Sequence, residues 1–190
     1  MNRICIPLLA CLLALGCARG AELEAASADP SAAESERLAA LFMKRARSAY
    51  ARADFTRAEQ YLSLAKDNGR EDTEITPLLI DVCVKDQRYR AALQYSQEHL
   101  RRHPRAYRLR FVQASLLMAL GEVAQARQEL ERVLATRPEH ADAHYTLAVL
   151  LRDDLGNRLE ADTHFRDYLR LSPGGVHAEE AGESLLEAVP

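Results

Sequence analysis

The sequence predicts an all-α fold, a solenoid of about four helix-turn-helix units closed by a C-terminal capping helix. The first observation behind this is a period. Ala58, Ala92, Ala126 and Ala161 recur at intervals of 34, 34 and 35 residues, and a fixed period of this size marks one supersecondary unit stacked on itself. The second is that neighbouring positions repeat in register. Asp54, Arg88 and Glu122 each stand four residues before one of the first three alanines, and each is followed by an apolar Phe55, Tyr89 or Val123. A second small or apolar position recurs at Ala46, Ile80, Ala114 and Ala148.

Each unit reads locally as two helices. In 124–136, Ala126, Leu130, Val133 and Leu134 fall at i, i+4, i+7 and i+8, one helix face, with Arg127, Gln128, Glu131 and Arg132 mainly outside it. Helices are expected near 38–52, 55–67, 76–86, 89–102, 106–119, 123–136, 141–153, 158–171 and 176–188. Gly121 suits a tight turn that needs a positive φ. Pro104, Pro138 and Pro173 each stop a second helix, because the residue before a proline avoids the α region. The recurring alanines let helix backbones approach closely. The last helix is a half-unit: Ala178, Ala181, Leu185 and Ala188 can cover the open end, and Glu179, Glu180, Glu183 and Glu187 are expected to face water.

These residues resemble the tetratricopeptide repeat (TPR) pattern. His144, Leu147, Ala148, Leu151, Ala161, Phe165 and Pro173 follow it in one unit; Ala114, Leu117, Gly121, Ala126, Leu130 and Pro138 follow it in the preceding one. The resemblance covers about Leu38 to Pro173 and implies a right-handed superhelix. The chain departs from the pattern in places. It has no Trp, Ser96 replaces the aromatic after Ala92, and His99 and Tyr168 stand where a small residue is usual. The first unit ends in Asn68-Gly69-Arg70 without a closing proline, and the last carries one extra residue near Asp153-Asp154-Leu155-Gly156. The expected organisation is a signal peptide over 1–16, a flexible tether over 17–36, an array over 37–173 (units near 38–70, 73–104, 106–138 and 140–173), and a cap over 174–190.

The amino terminus carries its own signal. After Met1-Asn2-Arg3 the chain is uncharged for thirteen residues, Ile4 to Gly16, too few to span a bilayer, which takes ~20 in a helix. A positive start and a short apolar run ending at a small residue describe a secretory signal peptide. Leu13-Ala14-Leu15-Gly16-Cys17 resembles the bacterial lipobox, which implies cleavage before Cys17 and attachment of a lipid, with its acyl chains, to that thiol. The alternative is soluble secretion with cleavage after Gly20. Ala18 at the next position favours the outer membrane under the sorting rule this resemblance invokes. The following Ala-, Glu- and Ser-rich stretch to Ser35 reads as a tether with an end-to-end distance of ~25 Å as a coil.

Composition narrows the function. With 25 Lys+Arg against 28 Asp+Glu, a net charge of −3, the basic excess of a nonspecific nucleic-acid binder is missing. After cleavage Cys17 is capped and Cys83 stands alone as a small buried hydrophobe, so no internal disulfide forms. Arg101, Arg102, His103 and Arg105, then Arg108 and Arg110, form the densest charge cluster. It reads either as a surface for an anionic partner or as a solvated loop. His140 and His144 have an i, i+4 spacing that could place two imidazoles on a metal, but the sequence near them offers no third ligand; neither a metal nor another cofactor is expected. Nucleophile elbows, phosphate-binding glycine loops and zinc-protease motifs are missing, so no enzyme activity is expected.

The concave groove remains. In TPR arrays the first helix of each unit lines it, which by register assigns Met43, Arg47 and Tyr50; Asp81 and Lys85; Arg108, Phe111, Ser115 and Met118; and Tyr145, Val149 and Arg152. Chaperone-binding TPRs hold a peptide carboxylate with Lys and Asn at sites that here carry Met43, Arg47, Asp81, Phe111 and Ser115, so that clamp is not built. Met43, Phe111 and Tyr145 instead make an apolar band rimmed by Arg. It suits an apolar strand or helix of a protein partner, unless a flanking helix or the cap covers it. The architecture is similar to small TPR lipoproteins of pilus and secretin systems. It implies a lipid-anchored periplasmic scaffold that assists assembly of an envelope complex; the alternative is a non-catalytic regulator of a cell-wall or export enzyme.

Overall fold

A computed structural model describes residues 30–186; Cys17, the signal peptide, the first part of the tether, Glu187 and Ala188 lie outside them. Nine helices are found among the described residues: α1 (Pro30–Ala51), α2 (Phe55–Asp67), α3 (Asp72–Lys85), α4 (Tyr89–Arg102), α5 (Tyr107–Ala119), α6 (Val123–Thr136), α7 (Ala141–Asp153), α8 (Arg158–Leu171) and α9 (Ala178–Glu183). Each helix packs on the next in chain order. None of them is long and apolar enough to cross a membrane.

The period is a packing period. Ala58, Ala92, Ala126 and Ala161 are all buried, as are Ala46, Ile80, Ala114 and Ala148. It is also a backbone period. The residue two before each second helix has a left-handed φ: Ala53 (56°), Gln87 (58°), Gly121 (74°) and Gly156 (65°). In each of these turns an amide closes back on the end of the first helix, Asp54 N–H on Ala49 O, Arg88 on Cys83, Glu122 on Leu117 and Asn157 on Leu151. The last of these spans one residue more, which is where the extra residue of unit four is absorbed. Before Pro104, Pro138 and Pro173, the residues His103, Arg137 and Ser172 leave the α region with ψ between 66° and 78°. The first unit closes differently, with Gly69 at φ 95° and Arg70 N–H bonded to Ala65 O.

Three boundaries differ from the sequence expectation. α1 starts at Pro30, so the end of the expected tether is helical; proline at a first helical position costs no hydrogen bond. α3 starts at Asp72, with Pro77 inside it rather than in its first turn. Ile75 and Thr76 are buried, and Asp72 is anchored by Lys66 and His99, so tertiary contacts outweigh the donor that Pro77 removes. α9 spans only Ala178–Glu183, shorter than the expected 176–188; Ala181 is its buried residue.

The departures from the repeat pattern are each compensated. Ser96 is buried with its hydroxyl 2.9 Å from both Leu93 O and Gln113 Oε1. His99 is buried against Asp72, Nδ1 to Oδ2 2.7 Å. Tyr168 fits because residue 175 is glycine: a Cβ there would lie 2.3 Å from the Tyr168 hydroxyl. That hydroxyl accepts the His177 N–H at 3.1 Å and fixes the turn into α9.

Candidate functional site

The residues assigned to the groove do not form one continuous band. Met43, Arg47 and Tyr50 of α1 and Asp81 of α3 come together around a cavity of about 430 Å³ between α1, α2 and α3. Met43, Ala46, Ala58, Leu62 and Val82 make its apolar wall, while Arg47, Glu74 and Asp81 bring charge to it. Met43 is itself almost fully buried (4 % exposed), so it is part of the core and not the free apolar group expected. Leu78 completes the wall and is exposed. Asp81 interacts with the Tyr50 hydroxyl, and with partial loss of water this raises the tyrosine pKa, keeping the phenol a donor. Glu74 escaped the sequence reading because the helix was expected to begin at residue 76, and Leu78, inside that range, was not among the register positions assigned to the groove; the i, i+4 spacing of Glu74, Leu78 and Val82 was the signal available. Lys85, exposed at the end of α3, does not line the cavity.

The middle of the groove is sparse. Arg108 and Ser115 are exposed, and the Ser115 hydroxyl donates to its own helix at Phe111 O. Phe111 packs on the His140 ring, centroids 5.0 Å apart, and Met118 packs against the C-terminal core.

The C-terminal end is covered. Tyr145 stacks on His177 with centroids 3.9 Å apart and planes 7° apart, and its hydroxyl donates to Glu180. Burial first, and Glu180 second, push the Tyr145 phenol up to about 12. Arg152 reaches Glu180 at 3.2 Å and also donates to Ser184. Val149 is half-buried against the same core. Tyr145 and Arg152 are therefore held by the cap, and they are not a free binding surface. Glu180 faces water as expected and is at the same time the acceptor that holds the cap down.

The Arg101–Arg110 cluster is not a uniform basic face either. Arg110 pairs with Glu129 and donates to Pro104 O at 2.9 Å. Arg102 pairs with Asp72 and with Glu98 at 2.9 Å. Asp72 collects Lys66 at 2.8 Å, His99 at 2.7 Å and Arg102 at 3.3 Å. Burial alone would raise its pKa; these partners outweigh it and hold the carboxyl at about 2. A second network crosses from α2: Glu59 takes the Tyr95 hydroxyl at 2.7 Å and Arg88 at 2.7 Å. Buried Cys83 lies beside it, and burial with the Glu59 charge pushes its thiol up to about 11, away from the reactive thiolate.

The two histidines of the i, i+4 pair have separate roles. His140 caps α7, its Nδ1 accepting the Ala143 N–H at 3.2 Å. His144 is buried and meets His164 of α8, Nδ1 to Nδ1 3.0 Å, with Asp167 Oδ2 3.8 Å away. The i, i+4 spacing set aside in the sequence is not used as a pair, and His144 meets a histidine of the neighbouring helix, a partner that carries no local spacing.

Comparison with known proteins agrees with this architecture. Solved structures share the fold over most of the chain. MamA aligns with a TM-score of 0.67 at 17% identity, covering 77% of this chain and 80% of that one. YrrB, described as a TPR protein with an unusual peptide-binding site, aligns at 0.64 and 22%, covering 82% and 76%. A tetratricopeptide repeat protein from Parabacteroides merdae aligns at 0.69 and 21%, covering 78% of this chain and 59% of that one. No curated protein matches the chain in sequence. The tetratricopeptide repeat profile matches residues 78–128 and 111–176, together just over half of the 190 residues, and the chain belongs to that family.

Proposed function

We propose that the protein is a non-catalytic interaction scaffold that takes a segment of a protein partner on the concave face beside α1 and α3. TPR domains bind protein partners and are in general not catalytic. The observation that carries the reading is a contrast in one register. Met43 and Tyr145 occupy equivalent positions of α1 and α7; the chain's own cap is seated on Tyr145, whereas about 430 Å³ lies open beside Met43. Arg47, Glu74 and Asp81 supply charge around an apolar wall, which suits an amphipathic segment that inserts an apolar anchor. The peptide-binding site ascribed to YrrB supports a similar use of the array.

We further propose that Cys17 carries a lipid that holds the array at the periplasmic face of an outer membrane, where it assists assembly of an envelope complex. The Gly16-Cys17 junction motivates this. Feeding cells a fatty-acid analogue tests it: wild type takes up label and Cys17→Ser does not. An unlabelled wild type removes the anchor.

The groove is tested with a photo-crosslinking residue at position 78 and, as control, at exposed position 124 of α6. Position 78 should give one discrete adduct in envelope fractions, lost on adding Asp81→Arg, with circular dichroism unchanged. Equal adducts from both positions would place recognition elsewhere.

A further inference from the structure

The cluster between α7 and α8 has the geometry of a metal site. His144 Nε2 lies 2.8 Å from Pro138 O, so it carries the proton and donates. That leaves Nδ1 with a free lone pair, and it points at His164 Nδ1, 3.0 Å away. Histidines that bind metals are oriented in this way, with the distal N–H given to a backbone carbonyl. Two ring nitrogens on one tetrahedral ion, with bonds of ~2.0–2.1 Å, stand ~3.3 Å apart, close to the separation already present. The third donor is Asp167 Oδ2, 3.8 Å from His144 Nδ1, while Asp167 Oδ1 is steadied by Arg170 at 2.8 Å. All three donor atoms fall within 4.8 Å of one another. His144 is only 9 % exposed at its side chain and His164 is half-buried, so the donors are preorganised by packing.

A second His and Asp cluster, Asp72 with His99 and His103, meets the same distance limit. There the carboxylate is already compensated by Lys66 and Arg102, and a dication would compete with both. Asp167 has one cationic partner instead, the largely exposed Arg170, and Arg127, whose charge bears on His164, is occupied by Glu131 at 2.7 Å and Glu160 at 2.9 Å.

We propose that His144 Nδ1, His164 Nδ1 and an Asp167 carboxylate oxygen bind a divalent zinc ion. Two imidazoles and one carboxylate are a donor set for zinc, which accepts three protein ligands and one open position. The ion replaces the proton that one imidazole otherwise donates to the other across the pair. It ties α7 to α8 within the last unit.

The test is calorimetric titration of the chelator-treated full chain with zinc chloride, followed by thermal melts with and without zinc. One equivalent should bind and raise the melting temperature. His164→Gln and Asp167→Asn should each weaken binding at least tenfold, whereas His103→Gln and His140→Gln should leave it within twofold. Cobalt(II) should give the intense visible bands of a tetrahedral site with wild type and lose them in Asp167→Asn, an exchange at a partly exposed position that keeps the fold. No saturable binding by folded wild type overturns the proposal. Binding that survives His164→Gln, or is lost in His103→Gln, also overturns it.

Discussion

The two halves of the array solve the same packing problem with different materials. From α5 to α9 one apolar cluster runs without a break, from Ala114 through Leu130 and Leu147 to Phe165, Tyr168 and Ala181. Both of its intra-unit turns use glycine at the left-handed position. From α1 to α4 the core is divided into two smaller clusters, the second of which also takes in Leu116 of α5, polar networks around Asp72 and Glu59 join the helices, and the left-handed positions carry Ala53 and Gln87. The open cavity lies in this half as well. The repeat fixes where helices sit and leaves open what fills the space between them. Where a further helix arrives, as α9 does, aromatic residues fill it; where α1 and α3 leave a gap, a cavity remains.

The hardest break is a charge in the shared alanine register. Ala126→Glu in the continuous core should cost on the order of 3–5 kcal/mol, as an unpaired buried charge does. Ala58→Glu is at the same register, but Ala58 borders the cavity, so its carboxylate has somewhere to go and the loss should be smaller by at least ~1 kcal/mol. Ala124→Glu, exposed on α6, should stay within ~0.5 kcal/mol. Urea midpoints decide; equal losses at Ala58 and Ala126 would mean that the two halves are packed alike.

A smaller effect is expected from the polar half. The folded pKa of Asp72, about 2, lies below its ordinary 3.8. A depressed carboxylate stabilises the fold above its unfolded pKa and loses that contribution as pH falls through the folded value. Asp72→Asn should therefore cost on the order of 2 kcal/mol at pH 7. The gap between wild type and variant should close between about pH 4 and pH 2. A gap that holds constant down to pH 2 would assign the loss to packing and not to charge.

The smallest effect concerns the turns. Gln87 pays for a left-handed φ that a glycine adopts freely. After the greater chain entropy of glycine is set against this strain, Gln87→Gly should gain about 0.5 kcal/mol. Gly121→Ala, in the other half, should lose about 1 kcal/mol. Thermal melts of both variants would show the opposite signs; a loss at Gln87 would mean its side chain contributes more than its backbone strain costs.

The sequence by itself determined the helix count and order, the register of the buried alanines, the turn at Gly121 and the stops at the three prolines. All of these follow from interactions a few residues apart or from a spacing shared by four recurring positions. The groove was legible in part: the TPR resemblance, carried over by register, selected Met43, Arg47, Tyr50 and Asp81, which do meet at one cavity. Only the tertiary structure decided that Tyr145 and Arg152 are covered, because Glu180 and His177 reach them from a helix about 30 residues later in the chain. It alone also brought His144 to His164 and Asp167, and extended α3 back through Pro77 to Asp72 by burying Ile75 and by pairing the Asp72 carboxylate with three partners. Periodicity specifies which face of a helix turns inward. The side chains that meet on that face depend on how far neighbouring helices approach, which is set by packing and carries no local spacing in the sequence.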